Sequence, residues 1–239
     1  AVARLPTAVL GALLVPVSWG LGLMVGGRLP GLLSAFFAAF CPNLIGHSKW
    51  VTTDVPGALG FSLGVLASLS FLRVQRPRTL LWLSLSIAVA QTTKFYNLML
   101  YPIYLLMACC EVSRRRFRLS WLALSILSIA FVSVVVVNAS YRNWGQTDRL
   151  VNHRFSGLLG KLCTMPGSRR LPIPLPPRYV SELEFQLSHN TVGHPAYFRG
   201  RHADRGWRAY FPAAFAIKST SATLVLLFLS LSLAVLRKR

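Results

Sequence analysis

Apolar runs separated by short, arginine-bearing turns dominate the chain. Residues 8–25, 32–45, 57–72, 80–90, 98–110, 119–137 and 210–236 carry almost no charge, and each predicts a membrane-embedded helix. Pro16 and Pro102 fall inside two of these runs and predict kinks. Gly26-Gly27-Arg28 predicts a tight polar turn. Gly57, Gly60, Gly64 and Ala67 form a small-residue stripe that predicts close contact with a neighbouring helix. Several runs are shorter than the roughly 20 residues of a straight span, so their polar ends are expected inside the protein at membrane depth.

The pattern changes between residue 138 and about 208, where polar positions take over. Leu171-Pro172-Ile173-Pro174-Leu175-Pro176-Pro177 predicts extended chain, and residues 179–186 predict a short helix or turn. Gly200 is expected in a turn. Gly206-Trp207-Arg208-Ala209-Tyr210-Phe211-Pro212 leads back into the membrane with interfacial aromatics. The expected fold is an all-α polytopic membrane protein, a transmembrane helix bundle of about seven spans with one long external loop. Its parts would be a bundle at 1–137 holding an external site stretch at 43–56, an external loop at 138–208 and a return transmembrane helix at 209–239.

Parity orients the runs. If each crosses once, Arg28, Arg73–Arg78, Arg114–Arg118 and Arg237–Arg239 fall on one side, the cytoplasmic side by the positive-inside rule. The other side collects His47, Asp54, Lys94 and the long polar segment.

Composition supports the membrane reading. Hydrophobic residues make up 54% and charged residues 13%, against about 25% charged in soluble domains; mean hydropathy is +0.51. The net charge of +20 has the sign expected for nucleic-acid binding. It lies instead in clusters beside apolar runs and in one polar segment, where anionic lipids or phosphates are the natural partners, so no nucleic-acid partner is expected. Cys41, Cys109, Cys110 and Cys163 have neither metal spacing nor a disulfide framework. The chain starts without an initiator Met and runs directly into an apolar segment, which suggests a fragment of a longer protein.

Candidate chemistry gathers in the stretch from Asn43 to Pro56, between two apolar runs. Thr52, Thr53, Asp54 and Pro56 read as a helix N-terminus, and a first-turn acid favoured by the helix dipole is one sufficient account of Asp54. The other is a site, because His47 and Lys49 share its membrane face and ionisable groups there are functional by default. Lys94 is either a lysine snorkelling to the headgroups or a phosphate contact. Lys218, inside the last run, is costly unless it faces a cavity or a partner. His189, His194 and His202 match no standard metal spacing.

The ordered set of motifs resembles the family 39 glycosyltransferases, the protein O-mannosyltransferase and aminoarabinose-transferase relatives with the GT-C membrane fold. Pro42-Asn43-Leu44-Ile45-Gly46-His47, continuing to Thr52-Thr53-Asp54, resembles the family pattern P-x-x-x-A-H-x-x-x-x-T-T-D, with Gly46 in place of Ala. Thr93-Lys94-Phe95 through Pro102 resembles its T-K-Y/F … P segment. Residues 171–179 and 194–200 resemble the external loop of bacterial members, and residues 207–218 the return helix, without its usual proline after Lys218.

The resemblance implies an integral-membrane glycosyltransferase that moves a sugar from a polyprenyl-phosphate donor on the periplasmic or luminal face. The bacterial inner membrane is the expected setting, with the acceptor left open. It implies that Asp54 and His47 are catalytic, and that Lys94, Lys49 and Lys218 bind substrate or lipid phosphate. It leaves a divalent metal open, because some relatives use one. It also implies an acidic residue in a first external loop that this chain lacks, which leaves the activity of the fragment in question. A transporter-like or non-catalytic membrane protein is the alternative, and it accounts equally well for the kinked helices and small-residue stripe.

Overall fold

The computed structural model describes residues 2–143, 145–149, 172–192 and 195–236. Its contacts divide the chain into two units, Ala1–Glu184 and Phe185–Arg239.

The first unit is a helical bundle. A short 3-10 turn leads into α1 (Leu5–Gly26), which runs through Pro16 as a single helix. Gly27, at φ +86°, ends it in a conformation that side chains resist, and α2 (Arg28–Ala39) begins at once. α3 (Pro42–Ser48) follows with a bend of 52°, with Pro42 opening it. Next come α4 (Asp54–Arg73), α5 (Pro77–Thr93), a 3-10 turn (Phe95–Met99), α6 (Leu100–Ser113) and α7 (Leu119–Ser140). The seven α-helices follow the six apolar runs of this unit, α2 and α3 sharing one, and polar residues extend several of them.

Helix α5 lies at the centre of this unit. Leu83, Ile87, Ala88 and Ala90 are fully buried, and Phe71 on α4 and Leu100 on α6 complete the core around it. The small-residue stripe of α4 is the contact surface. A Cβ on Gly60 would come within 3.0 Å of the Ala90 backbone, and one on Gly64 within 2.6 Å of Leu100. Hydrogen bonds between side chains supplement the packing: Ser84 with Ser128 at 2.8 Å, Tyr104 donating to Ser125 at 2.6 Å, and Tyr101 with Ser133 at 2.6 Å. Such interhelical bonds join helices where lipid offers no hydrophobic drive. The outward faces are apolar, with Phe36, Trp82, Leu127 and Phe131 exposed, which suits lipid rather than water.

Four helices are long and apolar enough to cross a membrane, and two bent pairs raise the number to six among the described residues. One helix, α5, accounts for the difference from about seven. Helix α5 has 17 residues, a rise of about 25 Å, so buried neighbours rather than its own length carry it across. The last apolar run is not one helix.

That run belongs to the second unit. α9 (Tyr210–Lys218) and α10 (Ser221–Leu236) meet at 114°. Ser219 is extended, and the Thr220 hydroxyl accepts from the Thr223 amide at 3.4 Å, so a polar cap interrupts the run. In the same unit β3 (Ala196–Phe198) and β4 (Arg201–Ala203) form a hairpin. Arg199 and Gly200 turn it with φ of 52° and 79°, the two positive angles of a tight hairpin turn.

In the first unit β1 (Asp148–Arg149) pairs with β2 (Pro172–Ile173), matching the extended chain expected there. Pro177 opens α8 (Pro177–Val192), longer than the short helix expected from 179–186. Leu171, His194 and Arg237–Arg239 lie outside the described residues.

Candidate functional site at the start of α4

The bundle has two chemically distinct ends. At one, the Arg73 guanidinium donates to the Met24 carbonyl, and Gln75 donates to the Arg116 carbonyl at 3.1 Å. These bonds gather the α1–α2, α4–α5 and α6–α7 turns, and with them the arginines, as parity predicts. Helix α4, 20 residues long, separates this end from the other by about 30 Å, the thickness of a bilayer core.

Asp54, Lys94 and His47 meet at the other end. Asp54 begins α4, where first-turn acids are favoured. Lys94 is brought to it by a break in the chain. Helix α5 stops at Thr93, and Lys94 is extended at φ −163° and ψ 137° before the 3-10 turn. Buried Asn97 holds that break: its Nδ2 donates to the carbonyls of Ala90 (2.9 Å) and Gly57 (3.1 Å) and to Thr93 Oγ1 (3.1 Å). One amide thereby caps the end of α5 and ties it to α4.

The Lys94 ammonium donates to Asp54 Oδ1, and His47 Nδ1 lies 4.0 Å from Asp54 Oδ2. The side chains are 35%, 49% and 60% exposed for Lys94, Asp54 and His47. The cluster therefore opens to its surroundings. Tyr96 lies 5.4 Å from the ammonium, ring face toward it. The absence of a side chain on Gly57 leaves room for both: a Cβ there would lie 2.9 Å from the Tyr96 hydroxyl and 3.3 Å from Lys94 Cβ.

The remaining candidates separate. Lys49 is exposed at the end of α3. With Arg4 it lines a mostly apolar cleft of about 590 Å³ between α1, α2 and α3. Lys218 belongs to the second unit, where it lines a cavity of about 180 Å³ with Phe198, Tyr210 and Ala214. His189 stacks on Phe185 at 5.4 Å, and His202 sits in the hairpin opposite Tyr197.

No group of three or more His, Cys, Asp or Glu able to hold a metal is assembled among the described residues. The donor set at Asp54 also does not fit a divalent cation. Only a carboxylate and an imidazole converge there, with an ammonium already on the carboxylate.

Two residues near the site were not among the candidates from sequence. Tyr96 adjoins Lys94 in the motif itself, which was the available signal. Tyr179 is distant in sequence, yet it is buried against this end. Its hydroxyl donates to Gln91 Oε1 at 3.2 Å, and its ring packs on Phe95 at 5.3 Å and Tyr141 at 5.7 Å. Burial, and then the neighbouring Tyr101 and Tyr141, push its phenol well above the ordinary value of 10.0.

Residues 1–139 match the sequence model of the dolichyl-phosphate-mannose-protein mannosyltransferase family. The chain belongs to that family. It is an integral-membrane protein of a glycosyltransferase family with the GT-C fold. The match contains Asp54, His47 and Lys94 with the motifs that carry them, and it ends before the segments from 171 onward. No curated protein and no solved structure matches the chain.

Proposed function

We propose that the chain carries the donor-binding end of a glycosyltransferase that moves a sugar from a polyprenyl-phosphate lipid to an acceptor hydroxyl on the non-cytoplasmic face. The meeting of Lys94, Asp54 and His47 at the end of the bundle opposite the arginines carries this reading.

The transfer breaks the bond between the sugar's anomeric carbon and a phosphate oxygen and forms one to the acceptor oxygen. The departing phosphate needs a positive group, and the acceptor hydroxyl needs somewhere to send its proton. Lys94 supplies the first. Its ammonium is a point charge with three donors, so it can keep Asp54 and still meet a phosphate oxygen. Asp54 holds that ammonium in place. His47, beside it and largely exposed, carries an imidazole nitrogen able to accept a proton. The cleft lined by Arg4 and Lys49 suits an apolar lipid chain with a cationic margin.

The test is transfer from a polyprenyl-phosphate sugar by the protein in membranes. Asp54→Asn and Lys94→Ala are each expected to lower turnover by roughly tenfold or more, about 1.4 kcal/mol of transition-state stabilisation. Unchanged turnover in both would remove these residues from the site.

A further inference from the structure

We propose that the arginine-bearing end of the bundle is a binding site for an anionic phospholipid, one acyl chain in the groove between α4 and α6 and its phosphate at Arg73 and Arg114. This site is separate from the proposed sugar transfer and does not depend on it. The groove has a volume of about 370 Å³. Leu69 and Leu72 of α4 and Leu106 and Met107 of α6 wall it, and Arg73, Glu111 and Arg114 also line it.

Charge selects the occupant. Arg73, Arg76 and Arg78 lie at or just past the end of α4, and Arg114, Arg115, Arg116 and Arg118 follow α6. All of them are exposed. Glu111 is the sole acid between Asp54 and Asp148, and it takes Arg114 at 3.0 Å. The arginines therefore far outnumber the one carboxylate beside them, and each guanidinium has five donors to place. The Gln75–Arg116 bond joins the two loops, and Phe117, packed on Phe71 at 5.6 Å, fixes the second loop against α4. Orientation by positive charge alone needs the arginines but not an apolar groove between two of them. A basic pocket between membrane helices is the arrangement that holds anionic headgroups. A phosphodiester suits guanidinium forks, and the leaflet at this end supplies the lipid.

Native mass spectrometry of the detergent-purified protein tests this, with phosphatidylglycerol and phosphatidylcholine of identical acyl chains as probes. Phosphatidylglycerol should be retained roughly tenfold more strongly, because its headgroup keeps a net negative charge beside the arginines, whereas the choline ammonium cancels that of phosphatidylcholine. Arg73→Gln with Arg114→Gln should abolish the preference, while Arg78→Gln, outside the groove, should keep it. Leu106→Trp leaves every charge in place and fills the groove, so it should also lower retention. That variant keeps the test decisive if the double arginine variant does not fold. Equal retention of the two lipids by the unmodified protein would overturn the proposal. So would an Arg78→Gln loss as large as that of the groove pair. Displacement of the lipid by polyglutamate, with Leu106→Trp without effect, would identify a protein-docking patch instead and also overturn it.

Discussion

Lys94 and Asp54 form a half-exposed pair, and such pairs contribute no more than about 1 kcal/mol to stability. Asn97 is the opposite case. It is fully buried and its amide spans three acceptors. Asn97→Leu strips those acceptors and is expected to cost about 1–3 kcal/mol in a denaturation assay. Asp54→Asn should hardly move stability while lowering transfer, which separates a site residue from a structural one. Glycines near the site give a second contrast. Gly57→Ala drives a methyl toward the Tyr96 hydroxyl and Lys94 Cβ, so transfer should fall as the ammonium is displaced. Gly46→Ala meets nothing within 4 Å and lies inside α3, so it should leave transfer intact and stabilise the protein by about 0.5–1 kcal/mol. Equal losses in the two variants would refute the packing argument.

Between helices, polar contacts and packing contribute on different scales. Ser125 accepts from Tyr104 and donates to the Leu122 carbonyl, fully buried. Interhelical hydrogen bonds in membranes average about 0.6 kcal/mol, so Ser125→Ala should cost about that much. Leu83 is fully buried at the centre of α5, and Leu83→Ala should cost about 2–5 kcal/mol through lost contacts and the cavity left behind. Unfolding of both variants in the same detergent checks the order; a larger loss for Ser125→Ala would mean that the hydroxyl bond between α6 and α7 outweighs packing around α5. The middle helix is then carried by its neighbours, which is how 17 residues serve where a lipid-exposed helix needs about 20.

Across the first unit, charge is sorted to the two ends and the chain beyond α7 returns to the site end through Tyr179. The Tyr179 phenol is held protonated by burial. A raised folded value means the contact is fully present below the ordinary tyrosine value of 10.0 and weakens only as pH rises through the higher folded value. Limited proteolysis of residues 172–184 should therefore be slow and unchanged from pH 6 to about 9. Tyr179→Ala should speed cleavage several-fold over that range. Cleavage at the unmodified rate would show that Tyr179 does not anchor this segment.

Length and periodicity of the apolar runs determined the helices of this protein, because a membrane span must satisfy its own backbone and so announces itself in sequence. The positions of the arginines determined which turns share an end, because the two ends of a span cannot mix. The start of α4 at Asp54 was equally legible from Thr52, Thr53 and Pro56. Tertiary structure decided what met across those ends. Lys94 reaches Asp54 because Asn97 breaks and caps α5, and one buried amide carries no periodic signal. Tyr179 reaches Phe95 across 84 positions, a contact no local pattern encodes. The break at Ser219 and the support of short α5 also depended on context. Hydropathy counts apolar residues, whereas a cap or a buried neighbour decides whether they form one helix and how that helix is held.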